Sequence, residues 1–405
     1  MLLPPRSSQA AQLLLSDSKS DDYLSVKKLG RGGFGEVHEV TYQGPRRPRL
    51  AATTALACKV ILADKSKVDY HVEVERSLSE IRVMQAMPRG HPGFVQIFDA
   101  FVEETQHHVV TYIVMEKADC GDLKEVLSRV EQLPRHDVTQ QRLLLFDAVA
   151  RQVSSALRDL HAHDLGVVHG DIKFRNVLCF SGGQQLKLSD FGISCKTPCA
   201  STGGTKGYMD PLVAWRHSHL TPASDMYSLG VMLYRILTGQ HYFGIATARP
   251  MDAWLACYIT ALEELPRLGM GGPRARLVLN LLNPVNAGAR LTAAQLASVF
   301  AAHGTRDHML LMLAELARIY VPTPTMCAYD LHVLRLPASS SSRASRTAQL
   351  DEHIRSAVSD LEMLYSEPAT VSRVMGRLQE RPAVGLLYPN LSESRARVEQ
   401  FLAAR

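Results

Sequence analysis

Residues 167–178 read VVHGDIKFRNVL, and this stretch decides the fold. An apolar pair and a histidine lead into Asp171, Lys173 and Asn176 at fixed offsets. A carboxylate can take up a proton, an ammonium can offset negative charge, and a neutral amide oxygen suits a hard cation. Asp and Asn in loops more commonly serve turns. The twelve residues by themselves therefore leave a turn and a reactive loop both open.

Working outward, QRLLLFDAVARQVSSALRDLHAH (141–163) reads as a long amphipathic helix that ends at this stretch, with helical character from about Val138. After it come short strands around the glycine pair 182–183, a loop over 190–211, and helical patterns to about 304. Before it lie strand-like patterns over 23–59, interrupted by a glycine cluster and by the basic segment GPRRPRL (44–50). That segment reads as a solvated hairpin tip rather than a docking site. Residues 71–87 place Val74, Leu78, Ile81, Met84 and Met87 on one helical face. Two more strand-like runs follow at 94–102 and 108–116, with His107 and His108 at an exposed turn. The expected organisation is a mobile tail (1–22), a β-rich lobe (23–116), a larger helical lobe (117–304) and a third unit (305–405). In that last unit a flexible Ser-rich linker (339–347) precedes a helix with Leu350, Ile354, Val358, Leu361 and Leu364 on one face. The helix either docks back on the helical lobe or binds a regulatory partner. No internal repeat is present.

Composition narrows the function classes. The chain has 405 residues, 46% hydrophobic and 21% charged, with net charge +5. That is ordinary for a soluble protein, fits a phosphate-bearing ligand and does not demand nucleic acid. No apolar run reaches the roughly 20 residues of a membrane helix, and the N-terminus lacks a signal-peptide core. An intracellular protein, in cytoplasm or nucleus and with no membrane partner, is the expectation. Seven cysteines are scattered without a zinc-site spacing, so reduced thiols are expected.

Four further segments carry chemistry. In LGRGGFGEVHEV (29–40), Gly30, Gly32 and Gly35 with Val37 sit in a strand–turn–strand context, where bare backbone can donate N–H groups to phosphate oxygens. A glycine-rich hairpin turn has the same look. In LACKV (56–60), Lys59 lies inside an apolar strand and needs anions. Glu80, on the 71–87 helix, can supply one; a solvated helix face is the plainer reading, and it fits Glu73 and Glu75 better. In LSDFGIS (188–194), Asp190 offers a second oxygen ligand beside Asn176.

Together these pieces stand in the order and approximate spacing of the eukaryotic-type protein kinase family, which the chain resembles over roughly residues 23–304. The resemblance implies an α+β, bilobal kinase-like fold with a helical C-terminal extension. It implies ATP and Mg²⁺ as cofactors and a protein substrate. Gly30, Arg31, Gly32, Gly33, Phe34 and Gly35 would cover the phosphates. Val37 and Ala57 would roof the adenine and Leu178 floor it. Met115 would stand at the back, Glu116 and Ala118 would offer backbone groups, and Asp122 would reach the ribose. Lys59 and Glu80 would hold the phosphates in register, Asp171 would meet the attacking hydroxyl, and Asn176 and Asp190 would bind metal. Met84, Ile97, His169 and Phe191 would stack between the lobes. GGTKGYMDP (203–211) is similar to the family's substrate-side segment, so Thr205 would bond to Asp171 and Lys173. This Lys/Thr pattern implies serine/threonine specificity. DMYSLG (225–230) implies that Asp225 braces the catalytic loop.

The sequence departs from the family at three places. Gly170 replaces the arginine that pairs with a phosphorylated activation loop, which implies activity without that phosphorylation; alternatively Ser201 or Thr202 is phosphorylated and bound by another base. The segment 190–211 is short, with fewer conformations to lose on ordering. Leu212 stands where the family has a glutamate, while its partner Arg290 remains, so Asp210 is expected to take the glutamate's place. A pseudokinase acting as an ATP-binding or scaffolding module is the alternative reading, and a small-molecule phosphotransferase the third. The divergent motifs suggest a member outside the common cellular groups, virus-encoded and so active in virion or host cell as one option.

Overall fold

The computed structural model describes residues 15–301, except 33–34, 46–55, 198, 200–202, 217–218, 243–256, 259–260, 262–264, 266–272 and 284–286. The unit expected over 305–405, with its linker and helix, lies outside the described residues.

Five antiparallel strands form the first layer: β1 (Tyr23–Gly32), β2 (Gly35–Tyr42), β3 (Leu56–Asp64), β4 (Ile97–Glu104) and β5 (His108–Glu116), in the order β1-β2-β3-β5-β4. β3 is central, and most of LACKVILAD is buried. β4 starts three residues later than the pattern at 94 suggests. Phe94 leaves the sheet to bridge Leu188 instead. α1 (Tyr70–Ala86) packs on the sheet through Ile81 and Met84, with Leu78 against the same core.

The expected mobile tail narrows. From Ser16 onward the chain is tied to β4: the Ser16 N–H donates to the Ala100 carbonyl, and the hydroxyls of Ser18 and Tyr23 donate to Asp99 at 2.7 and 2.6 Å. Asp99 is buried, and a buried carboxylate without donors is costly. The tail supplies one through Ser18, and β1 supplies another through Tyr23.

The second layer is helical. α2 (Leu123–Glu131) and α3 (Arg135–His161) follow the sheet, and α3 begins earlier than Val138 because Pro134 sets its start. Two small antiparallel pairs come next: β6 (Val167–Val168) with β9 (Cys195–Lys196), and β7 (Val177–Phe180) with β8 (Gln185–Leu188). Then come α4 (Pro211–Arg216), α5 (Pro222–Thr238), α6 (Pro273–Leu281) and α7 (Ala293–Ala301). α5 is buried nearly all round, as a core helix must be. Thr221 and Ser224 box its start, Pro222 sits in its first turn, and left-handed Gly239 closes its end. α3 lies against α5 and α7. One cluster, from Ile81 and Ile113 to Leu233 and Leu296, runs through both layers.

The expectation of reduced thiols is corrected at one place. Cys195 and Cys199 are disulfide-bonded, with Cα atoms 6.2 Å apart. The β6–β9 pairing and a bridge between Cys199 and Leu220 bring the two together. Spacing alone could not show this, because β9 is only two residues long.

Candidate active site

The two layers enclose a cleft of about 710 Å³, the size of a small-molecule site. Gly30, Arg31, Gly32, Gly35, Val37 and Ala57 line it from the sheet, Met115 from the end of β5, and Leu178 from β7. Glu116, Ala118 and Asp122 lie along its edge. Gly33 and Phe34 fall outside the described residues. Gly35 is required by β3: a Cβ there would stand 2.3 Å from the Val60 carbonyl oxygen. At Gly30 and Gly32 a Cβ would meet nothing within 4 Å, so those two glycines leave space rather than fill it.

Two of the expected edge contacts are partly committed. The Glu116 N–H donates to the Gln96 carbonyl at 3.0 Å, and Lys187 holds its carboxylate at 2.7 Å. Its N–H is therefore not available to a ligand. Asp122 caps α2, accepting from the Glu125 N–H at 2.9 Å through Oδ1, while its Oδ2 lies 4.0 Å from Arg175 Nη1.

Lys59, on β3, is buried, and its Nζ donates to both oxygens of Glu80 at 2.7 and 2.8 Å and to Asp190 Oδ1 at 2.7 Å. One ammonium thus ties sheet, helix α1 and loop. Burial opposes charge on Lys59, but the two carboxylates outweigh it and hold its pKa above the ordinary lysine value. Burial pushes the Glu80 carboxyl up against the pull of Lys59. Asp190, less enclosed, is held below the usual carboxylate range: burial raises it, and Lys59 wins. Asp190 also sits at φ +63°, a left-handed conformation that costs a non-glycine residue of order 1–3 kcal/mol and clusters at functional sites.

The opening stretch forms a hydrogen-bonded knot. Asp171 Oδ1 accepts from the Thr205 N–H at 3.0 Å and the Thr205 hydroxyl at 2.7 Å. Asp171 Oδ2 accepts from Lys173 at 2.5 Å and from the Asn176 amide at 3.1 Å. Lys173 also donates to the Thr205 hydroxyl oxygen at 2.8 Å. Asp225, on α5, accepts from the backbone N–H groups of His169 and Gly170, both at 2.8 Å. Gly170 has φ +79°. A Cβ there would be strained and would stand 3.2 Å from Leu220 and 3.5 Å from Ile193. Glycine takes this position without strain, so the loop stays braced although the arginine is missing.

Met84, Ile97 and Phe191 share the core, and the His169 and Phe191 rings lie 4.9 Å apart. Phe94, expected in a strand, adds an edge contact to Phe191. At the far end of the segment Arg290 is fully enclosed and paired with Asp210: Nη2 donates to Asp210 Oδ1 at 3.0 Å and Nη1 to Oδ2. Arg290 also donates to the carbonyls of Asn283 and Ala223 and lies over the Tyr227 ring. Leu212 therefore leaves no buried charge unpaired.

Sequence reasoning missed three contributors. His161 Nε2 lies 2.8 Å from Asp225 Oδ2, Lys187 fixes Glu116, and the Ser189 hydroxyl donates to the Asn176 carbonyl at 3.1 Å. His161 ends the long helix just before the key stretch, which was a legible signal. The other two depend on how β8 packs.

The metal expectation can be tested on donor chemistry. The Asn176 amide nitrogen is spent on Asp171, and Lys59 takes only Oδ1 of Asp190. The Asn176 side-chain oxygen Oδ1 and Asp190 Oδ2 are left without a hydrogen bond among the described residues, and both residues line the cleft. Two hard oxygens in this setting fit Mg²⁺.

A protein kinase domain family matches residues 23–298. Among curated relatives, the chain is 31% identical over 229 residues to a probable serine/threonine-protein kinase PknB of Lactococcus lactis, covering 55% of this chain and 32% of that one. It is 30% identical over 273 residues to calcium-dependent protein kinase 24 of Arabidopsis thaliana, covering 66% and 42%, and 30% identical over 229 residues to the rabbit protein kinase C epsilon type, covering 55% and 27%. The match thus spans well under half of each relative's length. No helix among the described residues is long and apolar enough to cross a membrane. The family match runs through the sheet, the cleft and the helical layer alike, and the chain belongs to the protein kinase domain family.

Proposed function

We propose that this protein is an ATP- and Mg²⁺-dependent serine/threonine protein kinase that transfers the γ-phosphoryl group to a protein hydroxyl. One observation carries the reading: Asp171, Lys173 and Thr205 are bonded to one another in the same cleft as the Lys59–Glu80–Asp190 tie. Lys59 would hold the phosphates, and Glu80 would hold Lys59. Asp171 would orient the attacking hydroxyl and receive its proton, and Lys173 would offset charge on the moving group. Asn176 and Asp190 would hold Mg²⁺, which supplies charge neutralisation at the phosphates. The work is positioning and electrostatics, with little covalent contribution from the protein.

We infer further that this geometry does not need a phosphorylated activation segment. The Asp171–Thr205 contact and the Asp225 brace are both made with glycine at 170. Phosphatase treatment is expected to leave activity unchanged.

Radiolabelled ATP with generic protein substrates tests the main proposal. Lys59→Met and Asp171→Asn should each lower transfer by roughly 10²-fold or more. Transfer that survives both substitutions sinks the mechanism. Nucleotide binding with no transfer in the wild type supports the pseudokinase reading instead.

A further inference from the structure

The Cys195–Cys199 bond spans the loop that leaves Asp190. Cys195 lies on β9, whose partner β6 leads directly into His169. Cys199 bridges Leu220, whose N–H donates to the Cys199 carbonyl at 2.8 Å. Leu220 is also the residue that crowds Gly170. Cys195 and Cys199 pack against Val168, Val213 and Leu220 in a small apolar cluster of their own. The bond therefore joins β9, the partner of the strand that leads into His169, to Cys199, which bridges Leu220 just ahead of α5. Glycine at 170 offers no side chain for that task.

We propose that Cys195 and Cys199 form a reversible redox site that anchors the activation segment, so that the oxidised protein is the more active form. The inference rests on the phosphotransfer reading of the cleft. In the disulfide-bonded structure Asp171 already meets Thr205 and Lys59 already meets Glu80. The oxidised state is thus the assembled one.

The reaction is thiol–disulfide exchange with a low-molecular-weight disulfide such as oxidised glutathione. One cysteine thiolate attacks a sulfur of that disulfide, forming a mixed disulfide and expelling one glutathione thiolate. The second cysteine thiolate attacks the protein sulfur, forming the Cys195–Cys199 bond and expelling the second. Two electrons pass to glutathione, and the two protons lost by the cysteines go to the leaving thiolates. Both cysteines are half-buried, within reach of a small thiol. Cys58 and Cys179 are buried, and desolvation pushes their thiols up to about 12, so they stay protonated and do not compete.

The test equilibrates the full chain in glutathione buffers of graded ratio. Differential alkylation and mass spectrometry then read the Cys195/Cys199 peptides, while kinase activity and binding of a nucleotide analogue are measured on the same samples. The pair should oxidise as a unit. Reduction should lower activity roughly fivefold or more with nucleotide binding retained. A Cys195→Ser/Cys199→Ser double variant should stay at the reduced level whatever the buffer. The proposal is overturned if the pair remains reduced at every ratio, if oxidation leaves activity unchanged or lowers it, or if the double variant responds like the wild type. If the pair titrates but neither form transfers phosphate, the phosphotransfer reading fails instead. Limited proteolysis then decides the anchor: protection of the segment on oxidation upholds it, and equal cleavage overturns it.

Discussion

Arg290 and Asp210 sit where one residue type has changed and its partner has not. Both side chains are almost wholly enclosed, and two further carbonyl groups accept from the guanidinium. Removing one partner leaves the other charged and buried, which costs about 3–5 kcal/mol. Asp210→Ala and Arg290→Ala should therefore lower the thermal midpoint by similar amounts, several degrees each. The paired change Asp210→Leu/Arg290→Met should recover much of the loss. Calorimetry on the three variants and the wild type checks this, and a neutral Asp210→Ala refutes it. This substitution was legible in the sequence, because Leu212 left an arginine in want of a carboxylate two positions away. The disulfide was not, because four residues of separation fit a turn, a helix or an open loop equally well. The β6–β9 pairing and the Cys199–Leu220 bridge together select the geometry that bonds the sulfurs.

At the scale of elements, α1 is held to the sheet at the cleft by the Lys59–Glu80 pair, and that pair responds to pH in an unusual way. Burial raises the folded pKa of Glu80 above its unfolded value. Protonation of Glu80 thus favours the folded chain, so acidification through this pKa does not by itself unfold the protein. It does remove the charge that positions Lys59. Asp190 runs the other way. Its folded pKa is lowered, so its stabilising contribution is present above the ordinary aspartate value and is lost only as pH falls below it. Activity should therefore decline on acidification at a pH above the ordinary glutamate range, while the circular dichroism spectrum is still native. A decline that coincides with unfolding would contradict this. The strands and α1 were readable from periodicity because half-buried elements print their exposed faces in the sequence. The early start of α3 was less so. Its first turn carries few apolar residues, and the start is set by Pro134.

The described residues place a cleft between the five-stranded sheet and the helical layer, and ligand binding there should stabilise both. A non-hydrolysable ATP analogue with Mg²⁺ at about 100 times its Kd should add roughly 2.7 kcal/mol to folding stability. With Asn176→Ala, the part of the melting shift that depends on Mg²⁺ should disappear while the metal-free part remains. Thermal shift with and without EDTA reads both parts, and an unchanged Mg²⁺ response excludes Asn176 as a ligand. The order of the motifs made the two-layer plan readable. The tail contact was not, since Ser18 and Asp99 lie 81 positions apart and nothing local marks the pair.

That same long reach has a consequence for synthesis. Asp210 and Arg290 are separated by 80 positions. At 5–20 residues per second, a ribosome needs roughly 4–16 s to make Arg290 after Asp210. Throughout that interval residues 167–178 and 203–211 exist as nascent chain without the guanidinium that pairs with Asp210 in the folded protein. The cleft can be built from the N-terminal side, but its far wall is locked only when translation delivers the guanidinium.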